Sequence, residues 1–137
     1  MNAQPVIDLL KAGLTGFTTV AGAADLDAVL DAGMANPPAV WVMPLAETGD
    51  EPYLAGVYAQ RTQQSFGVVL VVQNLRGQVG EGNISELAAK RSQIKQALCG
   101  KELGGEIIVF ASGRALKFAS GQFWWLDEFR LVQDYRN

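Results

Sequence analysis

Seven consecutive residues, 66–72, read Phe-Gly-Val-Val-Leu-Val-Val, and this apolar run constrains the fold more than any other part of the sequence. A strand with one face in water alternates apolar and polar residues, whereas a strand without that alternation is buried on both faces. The run therefore predicts a strand covered on both sides, either by a helix and a loop or by a neighbouring subunit. The 137 residues, 49% of them hydrophobic, supply one ordinary core, so we expect a single domain over residues 1–137.

Three segments have helical patterns. Residues 5–12 and 26–30 each place apolar side chains on one face. The third and clearest pattern begins near Asn83, which is followed three positions later by Glu86 in a capping-box arrangement, and it ends before Gly100, which suits a left-handed cap. The expected core face of this third helix consists of Ile84, Leu87, Ala88, Ile94 and Leu98.

Strands account for most of the remaining chain. Short strands are predicted at 17–20 and 39–44, and residues 57–64 alternate loosely before the apolar run. The last third is expected to form an antiparallel meander with strands at 106–110, 115–118 and 122–135 and turns at 112–114 and 120–121. Helices and strands are interspersed without a repeating strand-helix unit. We therefore expect an α+β fold, a mostly antiparallel sheet with two to three helices packed largely on one side.

Residues 45–56 interrupt these patterns. The segment contains Glu47, Asp50 and Glu51 together with a glycine and a proline, and it has no sustained period. Such composition is typical of a solvated connection between elements. We expect an acidic surface loop there, and the most mobile segment of the chain.

The composition excludes several classes of function. There is no histidine, and Cys99 is the single cysteine, so a Ser-His-Asp or Cys-His catalytic arrangement, a structural zinc site and an intramolecular disulfide are all impossible. The net charge of −3 has the wrong sign for a protein that holds DNA by neutralising phosphates. No apolar stretch reaches the roughly 18 residues that span a bilayer, and no signal-like segment precedes the first helix. We expect a soluble, cytoplasmic protein without cofactor or metal.

The remaining candidates for chemistry are weak. Residues 77–82 follow a strand and precede a helix, but their glycines have neither dinucleotide nor P-loop spacing, so a flexible connector is favoured over a nucleotide site. Neighbouring carboxylates at Asp25/Asp27, Asp50/Glu51 and Asp127/Glu128 are interpreted as solvated surface. Asp127 and Glu128, adjacent on a strand, point to opposite faces, and the segment with Asp50 and Glu51 lacks apolar surroundings. Cys99, in the last turn of the third helix, is interpreted as core packing.

The aromatic cluster Phe123-Trp124-Trp125 leaves one question open. In the last strand, one face holds Phe123, Trp125, Phe129 and Leu131, and the other holds Trp124, Leu126, Glu128 and Arg130. The first set is expected in the core. Trp124 is then either covered by a helix or exposed to a partner, since tryptophan is enriched at interface hot spots.

The order of elements as a whole resembles the tail terminator family of long-tailed bacteriophages. The features that carry the resemblance are the N-terminal helix, the segment Pro-Ala-Val-Trp-Val-Met-Pro at 38–44, Gln60-Arg61-Thr62 leading into the apolar run, the helix over 87–98 with Gly100 behind it, Ser112-Gly113-Arg114-Ala115-Leu116, and the strand 125–129. None of these is a catalytic signature.

The resemblance implies a non-enzymatic virion protein of the tail neck, assembled in the host cytoplasm. Such a protein forms a homohexameric ring on the last ring of tail tube protein, ends tube polymerisation and offers a docking surface to the head-neck connector, while DNA passes through the ring without specific binding. The resemblance maps no contact residues. On physical grounds, Tyr53, Arg61, Arg76 and Trp124 are the candidate subunit or tube contacts.

Two alternatives remain. Another small ring component of the neck, such as a head-tail connector or completion protein, would share the size, the charge and the lack of catalytic residues. A small-molecule binding domain or a histidine-free enzyme would instead use Cys99 or residues 77–82, and would require a concave pocket and a thiol with a depressed pKa.

Overall fold

The computed structural model describes residues 2–24, 26–31, 36–54, 58–73, 81–119 and 121–136. The helices are α1 (Gln4–Gly13), α2 (Leu26–Asp31) and α3 (Glu81–Leu98). The strands are β1 (Thr19–Gly22), β2 (Ala39–Gly49), β3 (Tyr53–Leu54), β4 (Tyr58–Gln73), β5 (Glu102–Leu103), β6 (Glu106–Ile107), β7 (Val109–Ala119) and β8 (Gln122–Arg136).

Six of the strands form one sheet in the order β1-β2-β4-β8-β7, with β3 pairing with the beginning of β4. Only β1 runs parallel to its neighbour, and the other pairings are antiparallel. β5 and β6 form a separate small hairpin. This single α+β domain with a mostly antiparallel sheet confirms the fold class predicted from the sequence.

The apolar run lies in β4, at the centre of the sheet, and both of its faces are covered. On one face, Phe66, Val68, Leu70 and Val72 pack beneath α1 and α3. On the other face, Val69 and Val71 pack in a second cluster with Val29 of α2 and with Met43 and Trp124. Full burial of such a side chain stabilises the fold by about 1.5–3 kcal/mol, so this strand anchors both layers. The prediction of a strand covered on both sides is confirmed, with helices supplying cover on each side.

Two helices share one side of the sheet. α1 buries Val6, Ile7 and Leu10 against it, as the sequence pattern predicted. α3 buries Ile94 and Leu98 and ends before Gly100, whose φ of +79° is the left-handed cap expected there. The assignment of Ala88 to the core face of α3 was wrong, because Ala88 is exposed.

The expected acidic loop at 45–56 is largely an extended β arm. β2 continues to Gly49, and its residues 46–49 pair with 62–65 of β4, which in turn pair with 130–133 of β8. We call this part of the sheet, residues 44–54 and 58–65 with 130–136, the arm. Residues 44–53 are all exposed, so no apolar face existed to produce the alternation by which a strand is recognised in sequence. The mobility of the segment stays a prediction.

The predicted turn at 112–114 is also absent. β7 runs continuously from Val109 to Ala119, with irregularities in pairing between Phe110 and Ser112 and between Ala115 and Lys117. Gly113 was interpreted as a turn signal, but in the structure it lets the side chain of Asp127 on β8 lie close to the backbone of β7. A Cβ on Gly113 would lie 2.6 Å from Oδ1 of Asp127, which explains the glycine inside a strand.

Candidate interaction site

Two of the four candidate contact residues lie together on the arm. Tyr53 is 70% exposed and pairs with Ala59, two positions before the exposed Arg61 on β4. Residues directly opposite each other in a sheet share a face, as do residues two apart along a strand. Tyr53 and Arg61 therefore project from the same face of the arm. Arg76 lies in 74–80, outside the residues that the structure describes.

Trp124 is in the core. It is 1% exposed, and its ring stacks on Trp41 with centroids 6.0 Å apart and planes 2° from parallel. The ammonium of Lys117 lies 4.5 Å from the centre of the Trp124 ring. Of the two possibilities left open by the sequence, the structure shows that Trp124 is covered, because Val29 of α2 packs in the same cluster on that side of the sheet.

Trp124 is also far from the arm. It pairs with Val71, so Arg61 lies ten positions away along β4, about 33 Å at the usual rise of a strand. The four residues thus do not form one surface. Trp124 was a candidate contact because the alternation of β8 shows which face it occupies but not whether a helix covers that face.

A buried ion pair joins α3 to β8. Asp127 has no exposed surface, and its Oδ1 lies 2.8 Å from Nη2 of Arg91, whose side chain is 23% exposed. Nε of Arg91 lies 3.2 Å from both carboxylate oxygens, and Nε1 of Trp125 donates to Oδ1 at 2.9 Å. The guanidinium also lies 4.5 Å from the centre of the Trp125 ring. These contacts satisfy the buried carboxylate and fix the position of α3 on the sheet.

The interpretation of Asp127 as a solvated carboxylate was therefore wrong, although its separation from Glu128 was correct. Glu128 points to the opposite face, where its Oε2 accepts a hydrogen bond from Ser112 Oγ at 3.2 Å. The signal that could have found the buried carboxylate was the alternation itself, which places position 127 between Trp125 and Phe129 on the core face.

Large apolar side chains are exposed near one edge of the sheet. β7 is the last strand in the order, and within the described residues no strand pairs with its outer side. Exposed side chains on or beside it are Ile107 at 58%, Val109 at 49%, Phe110 at 37% and Phe118 at 58%. Sequence reasoning missed this set, because the position of a strand at a sheet edge is a tertiary property. Val109 and Phe118 lie nine positions apart, about 30 Å along β7, so these side chains follow the edge of the sheet, where another chain can pair with it.

The structure gives little support to a catalytic thiol. Cys99 is half-buried, and burial raises the pKa of its thiol, opposite to the depressed pKa of a nucleophilic cysteine. Within the described residues, no group of three or more cysteine and carboxylate side chains could hold a metal ion. No helix in the same part of the chain is long and apolar enough to cross a membrane.

Two grooves lie in the part of the chain that the structure describes, whereas residues 77–80 lie outside it. A groove of about 420 Å³ lies between α1 and α3, and one of about 100 Å³ lies on the opposite face of the sheet. The first is lined by Leu9, Ala12, Gly13, Gln96, Ala97 and Lys101. The second is lined by Leu45, Ser112, Arg114, Leu126 and Glu128. Neither lining includes Cys99.

Comparison with known proteins gives the family. No curated protein is similar enough to the chain to count as a relative. The family model described as Phage tail terminator protein matches residues 1–137, essentially the whole chain. This match agrees with the pattern of elements from which the resemblance was drawn. The chain therefore belongs to the phage tail terminator protein family and is a structural protein of the bacteriophage tail.

Proposed function

We propose that this protein forms a hexameric ring that caps the head-proximal end of the tail tube. In this role it ends tube polymerisation and provides the docking surface for the head-neck connector. Its partners are other copies of itself, the tail tube protein and a connector or neck protein. It acts in the neck of the virion after assembly in the host cytoplasm, and it has no enzymatic activity or cofactor.

The observation that carries the proposal is the arm, taken together with the family. In the arm, residues 44–53 are exposed, residues 58–64 are exposed or half-buried, and Tyr53 and Arg61 project from one face. Tyrosine and arginine are both enriched at protein interfaces, where they supply contact area and charge-assisted hydrogen bonds. We propose Tyr53 and Arg61, with Arg76, as contacts to the tube or to a neighbouring subunit.

The charge of the chain agrees with passage of DNA through the ring. A net charge of −3 on each subunit repels phosphates, so DNA can move through the lumen without being held there. The covered position of Trp124 removes that side chain from the proposed contacts and assigns it to the core of the subunit.

The test combines oligomeric state with capping of tubes. We expect native mass spectrometry to show a hexamer, free or formed on added tail tubes, and electron microscopy to show the protein at one end of each tube. Arg61→Glu should reduce capping, whereas Lys11→Glu, the same charge change at an exposed site on α1, should not. Binding to the connector without binding to tubes would instead identify another ring component of the neck.

A further inference from the structure

The main sheet has two edges without a strand partner in the described part of the chain, and they lie on opposite sides. One is the outer side of β7, where the stretch 112–115 between the two irregularities pairs regularly with β8. The other is the outer side of β2 after Val42, because β1 pairs only with 39–42. Unpaired edges present rows of backbone donors and acceptors that another strand can use.

The two edges differ in charge. The β2 edge carries Glu47 and leads into Asp50 and Glu51, and all three are exposed. Nε2 of Gln64 on β4 donates a hydrogen bond to Oε2 of Glu47 at 3.1 Å. Within residues 44–54 and 58–65 of the arm, Arg61 on β4 is the single basic residue. The acidic side chains therefore outnumber the basic one on this edge.

The β7 edge is mainly basic. Arg114 is exposed in the regular stretch, Lys117 follows it, and Arg130 is exposed on β8 opposite Val109. The nearby acid Glu128 is hydrogen-bonded to Ser112. Opposite charges on two edges of one chain suit contact between copies, since complementary potentials steer association and fix register.

Apolar side chains accompany the charges at both edges. Val109 and Phe118 are about half exposed on β7, and Leu45 is 39% exposed on β2. Burial of these groups between two copies would add a hydrophobic contribution to the backbone pairing and the charge complementarity. A second copy of this chain is thus the occupant for which both edges are suited.

We infer that the β7 edge of one copy pairs with the β2 edge of the next, so that the sheet continues from subunit to subunit. The inference rests on the proposed ring and names its subunit contact. Pairing between two different surfaces of the same chain is head to tail, and such contacts produce closed rings when the rotation closes. The contact places the arm of each subunit against its neighbour.

Reversal of the charges on each edge, in two separate variants, tests the pairing. Glu47→Lys with Glu51→Lys makes both edges basic, and Arg114→Glu with Arg130→Glu makes both edges acidic. Each doubly substituted chain should assemble at least about tenfold more weakly than the natural chain. An equimolar mixture should restore assembly as an alternating ring, because each acidic edge then meets a basic one.

Matched controls keep this result interpretable. Lys11→Glu and Asp8→Lys change charge at exposed positions of α1, away from both edges, and should leave assembly unchanged. Normal assembly of either edge variant alone, or failure of the mixture to recover, overturns the inference. Circular dichroism of each variant confirms that the chain is folded before assembly is measured.

A cross-link provides the second readout and separates the two proposals. In a Cys99→Ser background, Glu47→Cys and Arg114→Cys in one chain should give a ladder of linked oligomers with a short bismaleimide, and either cysteine alone should stop at dimers. Oligomers that form in solution or on tail tubes without this ladder overturn the edge pairing and leave the ring intact. Absence of oligomers in both settings overturns the ring and the edge pairing together.

Discussion

Oδ1 of Asp127, a carboxylate oxygen with no exposure to solvent, lies 2.8 Å from Nη2 of Arg91, and this contact joins the long helix to the central sheet. Desolvation of the two charges is costly, and the bonds from Nε of Arg91 and Nε1 of Trp125 offset part of that cost. The pair matters mainly when one partner is lost, because the other charge then stays buried alone.

Arg91→Met should therefore destabilise the protein by about 3–5 kcal/mol, the usual cost of leaving one charge of a buried pair without its partner. Urea unfolding measures the change. Lys95 lies on the same helix as Arg91, and its ammonium is 4.1 Å from the centre of the Phe110 ring on β7. Lys95→Met should therefore lower the free energy of unfolding by no more than about 1 kcal/mol. Addition of Asp127→Leu to Arg91→Met should recover much of the loss, and equal losses from the two single helix variants would contradict this account.

Gly113→Ala should destabilise the protein by about 1–3 kcal/mol, since the added methyl group overpacks a filled site. Its Cβ would lie 2.6 Å from Oδ1 of Asp127 and 2.8 Å from Nη2 of Arg91, so the ion pair would have to move. Ala115→Ser, on the same strand at an exposed position, serves as the control and should change the midpoint of thermal unfolding little. If Gly113→Ala leaves the free energy of unfolding unchanged, the ion pair of Arg91 and Asp127 can shift without energetic cost.

Trp124→Ala and Tyr53→Ala should separate a core role from a surface role. Loss of the fully buried Trp124 side chain should cost about 3–5 kcal/mol of unfolding free energy. Tyr53 is 70% exposed, so Tyr53→Ala should change the free energy of unfolding by no more than about 0.5 kcal/mol. Its effect should instead be on assembly or tube capping. Similar destabilisation by both substitutions would place Tyr53 in a structural role.

The thiol of Cys99 should react slowly and should matter only at high pH. Burial raises its pKa, so the folded state favours the neutral thiol, and the resulting stabilisation is fully present below the ordinary thiol pKa of about 8.5. That stabilisation is lost as the pH rises through the raised value. Stability measured across this window should fall less steeply in Cys99→Ala.

Alkylation and tube capping provide further checks on Cys99. The natural chain should be alkylated by iodoacetamide at pH 8 more slowly than free cysteine, because less of its thiol is ionised. Cys99→Ala should also leave capping of tail tubes unchanged. Faster alkylation together with loss of function would return support to the enzyme alternative.

The sequence predicted the elements whose signals are local. The buried run at 66–72, the apolar face of α1, the end of α3 at Gly100 and the two faces of β8 were all correct, because period and end-capping residues are local properties. Errors occurred where a tertiary neighbour decides the outcome. Gly113 was interpreted as a turn residue because the Arg91–Asp127 ion pair beside it comes from distant segments, and residues 45–56 were predicted as a loop because residues 44–53 have no buried face.

The sequence by itself determined that the chain forms one α+β domain with a strand buried on both sides, and that a histidine-based catalytic site and an intramolecular disulfide are impossible in this chain. Only the tertiary structure decided that Trp124 is covered, that Asp127 is paired with Arg91, and that β7 lies at an edge with apolar side chains exposed. The reason is physical. Burial, pairing and edge position depend on which distant segments meet, and such contacts leave no periodic signal along the chain.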